Sequence, residues 1–278
     1  MSRTLLKLKG LTYFSQTMKK YIVKLLVMVP FWAFCQEAKV VFEQSIPITA
    51  DTFSGRDGFG NYFYLKNEVF HKKSDKKEVQ YANFSLGTPS KIDLINTLKT
   101  TLFYEKFNTV VLLDNQLNEI QKIDLSKATT PIIASYAGLS SLNSLWIYNT
   151  INQQLLLYNF QLNTIKNIGN PFVETPLYYQ SNFNYFYWIN SQNELFSMSI
   201  FGDIAALGKI QKGDSYQIIN DQELMICRSN SFYIFDLKTK KEHKMFDVEK
   251  SFKNFYYKDQ ILSIFTNEEI TNYKIILP

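Results

Sequence analysis

Six successive segments of about forty residues predict an all-β chain folded as a six-bladed β-propeller. Each holds an apolar stretch, a short polar break and a second, alternating stretch. Two observations sharpen that expectation. The last segment supplies three strands where a blade needs four, and one strand with no repeat of its own precedes the first segment. The N-terminal strand is therefore expected to complete the last blade and close the ring, removing an edge that would otherwise invite pairing with another chain.

The apolar stretches begin at Tyr62 (YFYLKNE), Val110 (VVLLDNQ), Leu145 (LWIYNTI), Tyr185 (YFYWINS), Leu224 (LMICRSN) and Ile261 (ILSIFTN), at spacings of 35 to 48 residues. Runs apolar at successive positions read as strands buried on both faces. The stretches that follow (EVFHKKS, LNEIQKIDL, QQLLLYNFQL, ELFSMSIF, SFYIFDLKT, ITNYKIIL) alternate, as half-exposed strands do. Asn, Asp and Ser at the breaks suit tight hairpins, because their side chains bond nearby backbone and tolerate positive φ. Each unit thus reads as the middle hairpin of a blade. The first blade is expected to begin near Asp51. The last takes FKNFYY (Phe252–Tyr257), ILSIFT and ITNYKIIL, plus KVVFEQSIPI (Lys39–Ile48) from the other end of the chain. The repeats share no Trp-Asp or Gly-His signature, so a large sandwich or barrel is the competing architecture.

The N-terminus carries a different signal. Met18 opens MKKYIVKLLVMVPFWAFCQEAKV, with Lys19, Lys20 and Lys24 before a short apolar core, Leu25–Phe34. Ala33 and Cys35 place small residues at the −3 and −1 positions for cleavage before Gln36, the pattern of a secretory signal peptide. The apolar core is shorter than the roughly 20 residues of a membrane span. We therefore expect an export signal over 1–35, with Met18 as the true start, and a single propeller domain over 36–278 with no stable membrane span once the signal is cleaved. Lipid anchoring through Cys35 is the lesser reading, because a lipoprotein signal wants a small residue where Phe34 stands.

Removing 1–35 takes away six of the 30 basic residues and none of the 25 acidic ones, so the formal net charge falls from +5 to −1. The basicity belongs to the leader, and nucleic-acid binding loses its electrostatic support. The cluster His71, Lys72, Lys73, Lys76, Lys77 reads as a solvated hairpin end. One cysteine, Cys227, remains; it cannot form an internal disulfide, and it lies in an apolar run as a small buried hydrophobe does.

Catalytic patterns are sparse. The two histidines, His71 and His243, lie in lysine-rich segments expected to be exposed. GRDGFGN (Gly55–Asn61) has three glycines but neither the lysine nor the helix of a phosphate loop, and reads as an inner-strand turn. Asp57 alone is too few carboxylates for calcium. Asp57, Asp93, Asn96, Asn182, Asn184 and Asn254 are candidates to line the central channel. Together they sustain an alternative reading as a metal-dependent hydrolase of the propeller lactonase type, although no metal ligand is assigned and no cofactor is implied. Aromatic residues are abundant: 18 Tyr, 23 Phe and 3 Trp. Most are expected in the core. Tyr178, Tyr179, Tyr256 and Tyr257 neighbour turns and are expected at one mouth of the ring, where they would bind a protein partner or a glycan.

From Lys39 to Leu277 the chain resembles six-bladed propellers of the TolB-like and NHL-like kind. The segment IDLINTLKTTLFYEKFNTVVLLDNQLNEIQKIDL (Ile92–Leu125), with its Asp-x-x-Asn stretch, Phe-Tyr-x-x-Phe turn and LDN hairpin, resembles one found in small exported propellers of Bacteroidota. The leader, ending in a small residue before Gln, is similar to theirs. The resemblance implies no activity. It marks Asp93, Asn96, Phe103, Tyr104 and Phe107, expected to shape the turn between the first two blades, and Asp93, Asn96 and Tyr104 join the four tyrosines as candidate binding residues. The expected role is a non-catalytic protein-interaction module, a scaffold or accessory subunit of the cell envelope, exported to the periplasm or cell surface.

Overall fold

The computed structural model describes residues 39–276; the expected export signal, with Met18 and Cys35, lies outside the described residues. The chain opens with β1 (Lys39–Pro47). Blade 1 is β2 (Thr52–Arg56), β3 (Tyr62–Lys66), β4 (Val69–Lys73) and β5 (Glu78–Tyr81). Blade 2 is β6 (Lys91–Asp93), β7 (Thr100–Tyr104), β8 (Thr109–Leu113) and β9 (Glu119–Asp124). Blade 3 is β10 (Ala134–Leu139), β11 (Ser144–Asn149), β12 (Gln154–Asn159) and β13 (Thr164–Ile168). Blade 4 is β14 (Tyr178–Ser181), β15 (Tyr185–Ile189), β16 (Glu194–Ser199) and β17 (Ile204–Lys209). Blade 5 is β18 (Ser215–Asn220), β19 (Glu223–Arg228), β20 (Ser231–Asp236) and β21 (Lys241–Asp247). Blade 6 is β22 (Asn254–Lys258), β23 (Ile261–Phe265) and β24 (Glu269–Ile276), completed on its outside by β1. Each blade is a four-stranded antiparallel meander, and the six form a six-bladed propeller.

Closure follows the expected route. β1 runs antiparallel to β24 from Lys39↔Ile276 to Pro47↔Glu269, with a bulge between Phe42 and Gln44. Ile46 and the buried Ile48 then enter the core shared by blades 6 and 1.

Blade 2 departs from the sequence reading. In the other five blades the apolar stretch is the second strand, but Val110 lies in the third, β8. The true second strand is β7 (TTLFY), which opens on the fully buried Thr100 and Thr101. The spacings of 48 and 35 residues around Val110 came from this displacement. The Phe-Tyr-x-x-Phe turn accordingly lies inside blade 2, not between blades 1 and 2. It is a single 3-10 turn, Glu105–Phe107, linking β7 to β8 and ending on Asn108 at φ 47°.

Six apolar clusters hold the molecule, one between each pair of neighbouring blades. Blades 2 and 3, for example, share Phe103, Val110, Leu112, Leu145 and Ile147. Blades 5 and 6 share Met225, Cys227, Phe232, Leu262 and Ile264. Cys227 is buried as expected, and burial pushes its thiol pKa up. Side chains alternate between the two faces of a strand, and each face of a blade meets a neighbour. The second strand of each blade is therefore buried at nearly every position.

The turns at Asp57, Asp114 and Asn190 share one five-residue loop. Its first side chain accepts the N–H groups of the third and fifth residues. Asp57 does this for Phe59 and Asn61 (3.0 and 2.9 Å), and Asp114 for Gln116 and Asn118 (both 2.8 Å). Asn190 does the same for Gln192 and Glu194 (3.0 and 2.8 Å). GRDGFGN is thus a turn leaving an inner strand, as expected. His71, expected exposed, is instead half-buried. Its ring stacks on Tyr64 (4.9 Å) and its Nδ1 lies 2.8 Å from Glu78. The lysines around it conceal that contact in the sequence.

Candidate functional site at the channel

The innermost strands β2, β6, β10, β14, β18 and β22 surround the channel. Their side chains alternate towards the preceding and following blades, so a polar residue there meets the backbone of a neighbouring inner strand. The result is a ring of clasps. Gln180 on β14 donates from Nε2 to the Ile218 carbonyl (3.0 Å) and accepts the Ile218 N–H at Oε1 (2.9 Å). Gln217 on β18 repeats this with both backbone groups of Tyr257, each at 2.8 Å. Asn254 on β22 donates to the Phe53 carbonyl (2.6 Å), linking blade 6 to blade 1. Asp93 on β6 accepts the Leu139 N–H (2.8 Å), linking blade 2 to blade 3. Blades 3 and 4 are joined by Tyr136 and Ser181 hydroxyls (2.8 Å), and by Tyr179 donating to the Ser135 carbonyl (3.3 Å).

The sixth junction is apolar. Gly55 on β2 has φ 144°, and a Cβ there would lie 2.8 Å from the Tyr256 ring and 2.9 Å from Leu94. Glycine lets blade 2 close on blade 1's inner strand without a clasp, and leaves room beside it for the Tyr256 ring of blade 6.

This geometry sorts the sequence-predicted residues. Asp93 is a bridging residue: Oδ1 accepts Ile95 N–H (2.9 Å) while Oδ2 holds Leu139. Burial raises its pKa against those two donors and the charge of Lys91. Asn96 caps the β6–β7 turn through Leu98 N–H (3.0 Å). Asn182 caps the β14–β15 turn, accepting from Asn184 (2.9 Å) and Tyr185 (2.7 Å). Among the described residues no group of three His, Cys, Asp or Glu side chains converges as a metal site.

The aromatic residues also move from their expected places. Tyr104 is 2% exposed in the core between blades 1 and 2, and Tyr257 is 5% exposed between blades 5 and 6. Tyr256 is half-buried, edge-on to Phe53 (6.4 Å). These three are inter-blade packing, not rim, because the strands bearing them are packed on both faces. Tyr178 and Tyr179 also pack against inter-blade cores, but they line a cavity as well. They stand at the start of β14, in a concavity of about 300 Å³ lined also by Lys91, Glu105, Ser135 and Tyr136. It opens on the face of the ring where the inner strands begin. Tyr178 bonds Gln180 through its hydroxyl and packs on Tyr216 (5.4 Å), so this wall is fixed by the neighbouring clasp. Lys91 and Glu105, both exposed, were missed in the sequence, where each is one charged residue among many.

Replacing Asp93 with Ala orphans the Leu139 and Ile95 N–H groups. The expected loss of unfolding free energy is about 1–3 kcal/mol, read from chemical denaturation, and a ligand-only role for Asp93 would leave stability unchanged.

No protein family description and no curated protein sequence matches the chain. Its likenesses are to solved structures. The WD40 domain of Toxoplasma gondii coronin is 10% identical, with 87% of each chain covered and a TM-score of 0.56. Catalytically inactive virginiamycin B lyase from Staphylococcus aureus, crystallised with quinupristin, is 13% identical, with 83% of each chain covered and a TM-score of 0.55. A Bacteroides thetaiotaomicron protein of unknown function is 11% identical, with 86% of this chain and 77% of that chain covered and a TM-score of 0.53. At such identities the likenesses show one thing, the fold: this chain is a β-propeller, and it has six blades.

Proposed function

We propose that the protein is a non-catalytic interaction module of the cell envelope, exported to the periplasm or cell surface, that docks a protein partner at the channel mouth. The observation that carries this reading is the ring of clasps. Asp93, Gln180, Gln217 and Asn254, the polar side chains best placed to meet a channel ligand, are committed to neighbouring backbone. That commitment weighs against the hydrolase alternative, because a side chain that holds two blades together is a poor candidate to shift during a reaction. The concavity beside Tyr178 and Tyr179 instead combines aromatic walls with an exposed cation and anion, Lys91 and Glu105. That mixture suits the centre and rim of a protein interface. A glycan is the second reading, favoured by the paired tyrosines in the same concavity. Export is supported by the leader, and kinship with exported propellers of Bacteroidota by the leader and the Ile92–Leu125 segment. Among the described residues no helix is long and apolar enough to cross a membrane.

The test is co-purification from the native envelope. Glu105→Lys with Leu177→Asp alters two exposed mouth residues outside the cores, so stability should stay within about 0.5 kcal/mol of wild type. Partner recovery should fall about tenfold or more. Recovery at the wild-type level by this double variant would move the docking surface elsewhere. Loss of a bound oligosaccharide with no change in protein partners would favour the glycan reading.

A further inference from the structure

The ring leaves six outermost strands, each with one edge unpaired, and in five of them no more than four successive residues are uncharged. β5 carries Glu78 and β13 carries Lys166. β9 carries Glu119, Lys122 and Asp124. β21 carries Lys241, Glu242 and Lys244, and β1 carries Lys39 and Glu43. Charged side chains on an edge are a principal means of keeping it from pairing. β17 (IAALGK) is the exception. From Ile204 to Gly208 it has no charge, and Ile204, Ala205 and Ala206 are all exposed.

The surface beside this edge is apolar. β17 pairs with β16 through Met198↔Ile204 and Phe196↔Ala206, and β16 with β15 through Trp188↔Phe196. The side chain of Ala206 therefore ends a row in which the Trp188 and Phe196 rings stack at 5.2 Å. Because alanine is small, that row stays open in a groove of about 250 Å³, walled by Phe172, Val173 and Ile204. Val173 is fully exposed, Phe201 77% and Ile204 55%. A bulge between Leu195 and Phe196 marks where regular pairing along β17 stops.

We propose that β17 is a self-association edge, on which a second copy of this chain pairs its own β17 antiparallel across a two-fold axis. Charge selects that occupant. Asp203 lies just before the neutral segment and Lys209 ends it. Two antiparallel copies bring the Asp203 end of each towards the Lys209 end of the other, so the edge is complementary to itself. An axis at Ala205 sets Ile204 of one copy opposite Ala206 of the other, and each isoleucine extends the open Trp188–Phe196 row. A two-fold contact repeats every such gain, and it closes at a dimer. None of the other five edges offers a neutral run of this length. The inference does not depend on the role proposed for the channel mouth.

Sedimentation equilibrium of the purified protein tests it. Wild type should show a reversible monomer–dimer equilibrium in the micromolar range. Ala205→Lys sets two ammonium groups face to face at the axis, and should weaken the dimer about tenfold or more. Asp203→Lys and Lys209→Asp should each weaken it alone. An equimolar mixture of those two variants should dimerise again, because each heterodimer then holds two opposite-charge pairs. Thermal melts of each variant check that the blade is intact, Asp203 also being an acceptor for Ser199 Oγ (3.0 Å). A wild type that stays monomeric to about 200 µM overturns the proposal, as does a dimer indifferent to Ala205→Lys or singles that fail to rescue one another.

Discussion

Deleting Val40–Ile48 should abolish the closed ring: the truncated protein is expected to aggregate or to unfold without a cooperative transition. Three losses coincide. The deletion removes nearly the whole strand that pairs with β24. It removes Ile46 and Ile48 from the core between blades 6 and 1. It exposes β24, whose Ile270 and Ile275 are fully buried, as a new edge. Burying one large aliphatic side chain contributes about 1.5–3 kcal/mol, and a whole domain has only about 5–15 kcal/mol to lose. Ile48→Ala is the graded control. It should cost about 2–5 kcal/mol and leave a monomer that still unfolds cooperatively. Size-exclusion chromatography and thermal melts separate the two outcomes. A truncated protein that is monomeric and melts with wild type would mean that β1 does not close the ring.

That closure could be read in the sequence because it depends on strand count. An unpaired strand at one end and a three-stranded repeat at the other admit few arrangements. Some strand ends within blades were legible from local chemistry: Asp57, Asp114 and Asn190 each follow a strand, and each makes the same loop. Blade 2 was misaligned because β7 hides its apolar character behind Thr100 and Thr101, while the adjacent TVVLL presents the stronger run. Threonine at a fully buried strand position is a matter of tertiary context, not of local pattern. The channel was less legible still. Gln180 and Gln217 are polar residues in short strands, which alternation alone assigns to solvent. Their partners, Ile218 and Tyr257, lie 38 and 40 residues away on the next blade. No local signal reports that distance. What the sequence does hold is a Tyr-Gln pair near the start of both β14 and β18, visible as a repeated feature once the blades are aligned. Tyr257 was expected at the mouth because a turn adjoins it, and Tyr104 was expected to shape a turn on the strength of the resemblance. In a propeller both faces of a blade are interior, so nearness to a turn does not imply exposure.

The clasps make a second strong prediction, with its own pH signature. Gln217→Leu keeps roughly the volume of the side chain but leaves the Tyr257 N–H and carbonyl without their partner. Each orphaned group costs about 1–3 kcal/mol, so the variant should lose about 2–5 kcal/mol. Gln217→Glu is more discriminating. Its carboxylate can still accept the Tyr257 N–H, but its other oxygen then faces the Tyr257 carbonyl, where the glutamine Nε2 donates now. Only the protonated acid can donate there. Folding therefore favours the proton and raises the pKa of this carboxyl above the ordinary glutamate value of about 4.3. A folded-state pKa raised above the unfolded one gives stability that is fully present below the unfolded value and lost as pH rises through the folded value. Relative to wild type at each pH, Gln217→Glu should be nearly neutral near pH 4 and destabilised by about 2 kcal/mol or more near pH 7.5. Gln217→Leu should show the same deficit at both. Urea denaturation at the two pH values measures the difference. A Glu variant whose deficit does not change with pH would show that the Gln217 amide does not donate to Tyr257, and that blades 5 and 6 are held by their apolar core alone.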